Sequence, residues 1–74
     1  MKELVWHEST NISVAYADHG LYLVKRAAPG NPTLVSFTPM KDDMFDFDST
    51  TDWTSENREY GKMSCAVHHL ENST

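Results

Sequence analysis

The sequence contains few of the residues from which several protein classes are built. It has one cysteine, three glycines and three prolines in 74 residues. A single cysteine cannot form an internal disulfide, so a disulfide-stapled secreted miniprotein is excluded. A chain of this length builds one domain with one modest core. Two-domain enzymes, solenoids and dinucleotide-binding folds are therefore excluded as well.

Long apolar runs and basic residues are also scarce. No stretch approaches the about eighteen apolar residues of a membrane span, and the first residues do not lead into a signal-type apolar run. We therefore expect a soluble, cytoplasmic protein without a membrane partner. Lys and Arg number six against eleven Asp and Glu, and the formal net charge is −5. This charge disfavours direct binding of nucleic acid, because contacts with phosphate groups need clustered Lys and Arg side chains.

The charge is unevenly distributed along the chain. Residues 1–41 contain four Lys or Arg and three Asp or Glu residues. Residues 42–74 contain two Lys or Arg and eight Asp or Glu residues. The acidity therefore belongs to the second half of the chain. Such asymmetry informs about partners rather than about the fold.

The first half predicts β-strands at residues 4–6, 12–17, 21–26 and 33–38. Apolar residues alternate there with a period of two, and β-branched and aromatic residues are frequent. We expect Pro39 to end the last strand, with Val35 and Phe37 on its core side.

The loop between the second and third strands sets the predicted faces of the sheet. Asp18-His19-Gly20 suits a three-residue hairpin loop in which Gly20 adopts the left-handed conformation. The register that follows places five large apolar residues on one face, namely Ile12, Val14, Tyr16, Tyr22 and Val24. Ser13, Ala15, Leu23 and Lys25 then share the other face.

The second half predicts an acidic connection at residues 41–51 and a helix at about residues 53–70, capped by Asp52 or Thr54. Apolar residues recur at helical spacing and are expected to cover the sheet: Trp53, Tyr60, Met63, Val67 and Leu70. Gly61 marks either a close approach to a strand or a break. The predicted fold class is α+β, a single domain over residues 1–74. Its three- to four-stranded antiparallel β-meander is packed by one C-terminal helix.

The histidines and the cysteine near the C-terminus suggest metal binding or nucleophilic catalysis. Cys65, His68 and His69 are three and four residues apart, but a closed zinc site needs four ligands, and no CxxC or HExxH pattern is present. A Cys65 nucleophile would lack an orienting third group. We therefore interpret Cys65 as a half-buried apolar residue and the two histidines as polar residues at the helix end. No enzyme activity, metal or cofactor is predicted.

Acidic and apolar side chains alternate in the segment that follows Lys41. The predicted partner-binding residues are Asp42, Asp43, Phe45, Asp46, Phe47, Asp48, Asp52, Trp53, Glu56 and Glu59. Carboxylates steer a protein toward a basic surface, and aromatic side chains can then anchor it. The expected partner is a basic protein or nucleoprotein complex with a Lys/Arg-rich groove for nucleic acid. The alternative is a hydrated loop whose aromatic side chains pack under the helix.

The order of elements resembles that of small accessory proteins from phages and other mobile elements, a β-meander followed by a helix. The resemblance rests on Trp6, Val14-Ala15-Tyr16, Gly20-Leu21-Tyr22-Leu23-Val24, Phe37 and Cys65-Ala66-Val67-His68-His69. Within that group the chain is similar to anti-CRISPR inhibitors, many of which are short, acidic and non-catalytic. The resemblance implies an inhibitor that mimics nucleic acid, and it transfers no functional residue.

A second functional hypothesis belongs to another class. The chain would be a homo-oligomeric structural or regulatory module that associates through a strand edge or through the second sheet face, with Ala15, Leu21 and Leu23. The sequence leaves monomer and homodimer open.

Overall fold

The structure is a computed structural model that describes residues 4–72. It contains six strands, one 3₁₀ turn (Phe47–Ser49) and one helix, α1 (Arg58–Asn72). The strands are β1 (Trp6–Glu8), β2 (Ile12–Ala17), β3 (Gly20–Lys25), β4 (Thr33–Lys41), β5 (Met44–Phe45) and β6 (Thr51–Ser55). All strand pairs are antiparallel, which confirms the predicted α+β class.

The sheet is larger than predicted because the expected connection itself forms strands. The order is β1-β2-β3-β4, and both β5 and β6 pair with the other side of β4. Within the described chain, β6 lies along the first half of β4 and β5 pairs with its last two residues. The first strand begins at Trp6 rather than at residue 4.

Strand β4 continues through Pro39, which was expected to end it. Pro39 pairs with Gly20 of β3, and its carbonyl accepts a hydrogen bond from the Asp46 amide at 2.8 Å. The N–H and C=O of one strand residue point to the same side. The N–H that proline lacks would therefore face the Asp46 loop and not β3, so the β3–β4 ladder continues.

The β2–β3 hairpin has a two-residue loop, and the predicted register was wrong by one residue. Ala17 pairs directly with Gly20, and Ala15 pairs with Tyr22. Gly20 is not in the left-handed region. Its role is close packing, since a Cβ there would collide with the Thr38 carbonyl and the Phe37 ring.

This register exchanges the predicted partners across the sheet. Ser13 and Ala15 lie beside Tyr22 and Val24 on the face under the helix, which we call the covered face. The other face, the open face, carries Ile12, Val14 and Tyr16 together with Leu21 and Leu23. Ala15 therefore does not belong to the second sheet face.

Helix α1 begins later than predicted, because Thr51–Ser55 forms β6. Its cap is Asn57, whose side-chain oxygen accepts a hydrogen bond from the Tyr60 amide at 3.0 Å. Gly61 marks a close approach, since a Cβ there would lie 3.0 Å from Val24 and 3.2 Å from Val35. The helix thus packs on the sheet through its smallest residue.

The helix is rotated almost half a turn from the predicted orientation. Its apolar stripe points into solvent, with Tyr60, Met63, Val67 and Leu70 each more than half exposed. We call these four residues the outer stripe. Cys65 packs toward the sheet and is fully buried rather than half-buried.

The core between helix and sheet is small. Five apolar residues are completely buried: Ala15, Tyr22, Val24, Val35 and Cys65. Partly buried residues surround them, including Trp6, Phe37 and Trp53. The predicted core positions of Val35 and Phe37 are confirmed.

Polar side chains fasten the beginning of α1 to the β1–β2 turn. Arg58 donates hydrogen bonds to the carbonyls of Ser9 and Thr10 at 3.1 Å and to the Ser13 hydroxyl at 2.6 Å. Lys62 forms an ion pair with Glu8. Arg58 and Lys62 of the helix therefore both bind groups of the same chain. In residues 4–72 no helix has the length and apolar character needed to cross a membrane.

Candidate functional site

Seven carboxylates lie along the edge of the sheet formed by β5, the 3₁₀ turn, β6 and the first turn of α1. We call them the acidic edge: Asp42, Asp43, Asp46, Asp48, Asp52, Glu56 and Glu59. Six of the seven side chains are exposed, and Asp46 is half-buried. In the part of the chain that the structure describes, none of them forms an ion pair. Their charge is therefore available to a partner.

The acidic edge begins at a tight turn between β4 and β5. Lys41 pairs with Met44, which leaves Asp42 and Asp43 as the two loop residues. Both have positive φ, 53° and 64°. Two consecutive left-handed residues form the hairpin turn whose twist matches that of the strands, and Asp tolerates this conformation better than most residues. The turn projects two adjacent carboxylates from the end of the sheet.

The 3₁₀ turn that follows is held by local hydrogen bonds. The Ser49 hydroxyl donates to the Asp46 carboxylate at 2.8 Å, and the Ser49 amide donates to the Asp46 carbonyl at 3.1 Å. The hydroxyls of Thr38 and Thr50 lie 2.8 Å apart, which ties the turn to β4. Asp48 extends from this turn into solvent.

The remaining carboxylates are distributed along and beyond β6. Asp52 accepts a hydrogen bond from the Ser36 hydroxyl at 2.7 Å. Glu56 and Glu59 lie past the far end of the strand. A strand of five residues is roughly 17 Å long, and the Debye length in physiological salt is about 8 Å. The two ends of the acidic edge therefore act almost independently, and residues 42–48 form the denser end, which we call the turn end.

The predicted aromatic anchors lie in three different environments. Phe47 is 68% exposed at the turn end. Phe45 is half-buried, and its ring lies near those of Tyr16 and Phe47. Trp53 packs under the helix instead, with its indole N–H donating to the Ser64 hydroxyl at 2.9 Å. Of the three rings, the structure leaves that of Phe47 the most accessible to a partner.

Sequence reasoning did not select one exposed apolar residue of this region as a binding residue. Met44 is 73% exposed and follows the Asp42-Asp43 turn directly. The sequence predicts no strand in residues 41–51, so it gives no basis for placing the Met44 side chain on an exposed face. The alternation of β5 places Met44 and Phe45 on opposite faces.

A second cluster of chemically interesting residues lies beneath the helix. The Tyr22 hydroxyl is 2.6 Å from His68 Nδ1 and 3.0 Å from His19 Nε2, and the rings of His19 and His69 are stacked. Burial lowers the pKa of His19, and the neighbouring His69 and His68 lower it further, against the opposite effect of Asp18. The cluster joins the β2–β3 loop to the last turns of the helix.

Burial keeps the Cys65 thiol of this region protonated, and the described histidines are not grouped as a metal site. Burial raises the pKa of the Cys65 thiol to about 12, so the thiol stays protonated at neutral pH. Among the described residues, no three His, Cys, Asp or Glu side chains are grouped so that they could hold a metal ion. The Tyr22 hydroxyl, which links two of the histidines, could not be recognised from the sequence, because its contacts are 46 and three residues apart in the chain.

Comparison with protein-family models, with curated proteins and with solved structures gives no match to this chain.

Proposed function

We propose that the chain is a non-catalytic binding protein whose turn end docks on a basic surface of a protein or nucleoprotein complex. The observation that carries this proposal is the juxtaposition of unpaired carboxylates with two exposed apolar side chains. Asp42, Asp43 and Asp48 are exposed there and form no ion pair with any described residue, and Met44 and Phe47 lie between them in the chain. A partner could thus meet charge and apolar surface within one short segment.

The two kinds of side chain would contribute differently to binding. Each exposed ion pair adds at most about 1 kcal/mol, so the carboxylates mainly accelerate and orient the encounter. An aromatic side chain that enters a pocket can contribute about 2 kcal/mol or more. Phe47 is therefore the proposed anchor. Where the partner's Lys and Arg residues hold nucleic acid, the carboxylates would compete with phosphates, which is the action of an inhibitor.

The local hydrogen bonds of the turn end support the proposal. Ser49 bonds to Asp46, and the turn is joined to β4 through Thr38 and Thr50. A segment that is already ordered loses less conformational entropy on binding than a flexible acidic tail. These bonds support docking by an ordered turn end, which would lower the entropy cost of binding.

The test uses an immobilised arginine-rich peptide as the probe, with affinity measured over a series of salt concentrations. One variant neutralises the turn end, with Asp42→Asn, Asp43→Asn and Asp48→Asn. The matched control has the same net charge but neutralises distant positions, with Glu56→Gln, Glu59→Gln and Glu71→Gln. Asn keeps the left-handed turn accessible, so the first variant retains its fold.

We expect the turn-end variant to lose about tenfold in affinity and to show a weaker salt dependence, because three local charges are removed. The control should lose about threefold or less. Phe47→Ala should lower affinity with an unchanged salt dependence. Equal losses in the two charge variants would show that only net charge matters, and would overturn the proposal.

A further inference from the structure

The open face of the sheet is apolar across four neighbouring strands. The registers place Ile12, Val14, Tyr16, Leu21, Leu23, Leu34, Met40 and Phe45 on it. Tyr16 is 61% exposed and Leu34 is 38% exposed. The helix covers only the other face, and on this face Tyr16 and Leu34 are exposed while the other six side chains are half-buried. Contiguous apolar surfaces of this kind mark interaction sites.

Two opposite charges lie on the same face without an ion pair in the described chain. Lys25 is the last residue of β3, and Asp52 lies on β6 beyond the intervening strand β4. Strand spacing and register separate their backbones by roughly 12 Å. At this separation the two side chains form no ion pair with each other in the described chain. The face is thus apolar in the middle and self-complementary in charge.

A second copy of the same chain, related to the first by a two-fold axis, can pair both of these charges. In an isologous contact, residue i of one copy meets residue j of the other, and j meets i in return. An axis near Leu34 and Ser36, which lie between the two charges, brings each Lys25 to the Asp52 of the other copy. The exposed Leu34 side chains then meet at the axis. A strongly charged partner would not match this surface, because its two charges cancel.

The size of the face is compatible with such a contact. Four strand spacings and six residues give a plane of roughly 20 Å by 20 Å. Side chains that stand on this plane expose more area than the plane itself, which approaches the about 600 to 1,000 Å² per partner of a specific interface. We propose that the open face binds the open face of a second copy in a two-fold dimer, with two Lys25–Asp52 ion pairs and Leu34 at the axis.

The test is a charge-exchange experiment read by sedimentation velocity over a concentration series. Lys25→Asp and Asp52→Lys should each raise the dimer dissociation constant about tenfold, because two ion pairs become two repulsive contacts. The double variant Lys25→Asp with Asp52→Lys should restore the dimer. This recovery separates a lost contact from a lost fold, which thermal unfolding of each variant checks independently.

The outer stripe of the helix provides the control. Val67→Glu places a charge on this separate exposed apolar surface and should leave the dimer intact. A dimer that Val67→Glu abolishes and that the charge exchange leaves unchanged would overturn the proposal in favour of helix pairing. A wild-type chain that stays monomeric at every concentration would also overturn it. The result is distinguishable from that of the arginine-rich peptide assay, because neither Lys25 nor Asp52 is changed in the variants of that assay.

Discussion

The two faces of the sheet carry side chains of opposite size on strand β2. The covered face has Ser13 and Ala15 on β2, and the helix contributes Gly61 and Cys65 to the same interface. The open face of the same strand has Ile12, Val14 and Tyr16. Gly61 lets the helix approach Val24 and Val35 closely, whereas on β2 the larger side chains lie on the face that the helix leaves open. Amphipathicity alone therefore does not tell which face of a small sheet is packed.

The largest expected effect concerns the tight packing of the covered face. Gly20→Ala should destabilise the chain by about 3 kcal/mol or more, because the new Cβ meets the Thr38 carbonyl, which belongs to the backbone and cannot turn away. Gly30→Ala is the matched control. Gly30 has a φ of 89° and free space around it, so its substitution should cost about 1 kcal/mol of strain. Urea unfolding measures both, and equal costs would contradict the packing role of Gly20.

A neighbouring pair on β4 compares the two faces directly. Val35→Ala removes buried methyl groups from the core and should cost about 2 kcal/mol. Leu34→Ala removes more atoms but from the open face, and should cost about 1 kcal/mol or less in the monomer. Chemical denaturation at low protein concentration tests the pair. A larger cost for Leu34→Ala would mean that the open face is packed even in a single chain.

The smallest expected effect is a pH dependence that originates at one end of the covered face. The pKa of His19 is lowered from its usual value of 6.5, chiefly by burial and then by His69 and His68. Its contribution to stability is therefore complete above pH 6.5. It decreases as the pH falls below that value, because the unfolded chain binds the proton first.

His19→Gln should flatten this part of the pH profile of the urea midpoint. His7 provides the comparison, since it lies on the open side of the sheet near Tyr16 and outside the cluster. His7→Gln is the matched substitution at a histidine outside the cluster. An identical slope in wild type and His19→Gln would contradict the assignment.

Much of the fold was predictable where local signals agree. The alternation in Ile12–Ala17 and the breaker around Pro29 and Pro32 located the strands within a few residues. The hairpin register was not predictable, because Asp18-His19-Gly20 fits both a two- and a three-residue loop. The choice depended on Phe37, which packs against Gly20 from a strand that comes later in the chain.

The helix shows a similar limit. Helical periodicity identified an apolar stripe but not the direction in which it points. Gly61, Cys65 and the bonds of Arg58 and Lys62 to the β1–β2 turn determine that direction. For the candidate site, the sequence indicated the acidic segment, whereas the separation of Glu56 and Glu59 from the turn end required β6. The roles of the acidic edge and of the open face remain predictions.

The sequence by itself determined a small acidic α+β domain, its strand-rich first half and the concentration of carboxylates after Lys41, because composition and periodicity are local properties. Only the tertiary structure decided which face of the sheet and which side of the helix are buried. Burial depends on how closely two backbones can approach, and that distance is set by pairs of residues far apart in the chain, such as Gly61 with Val24.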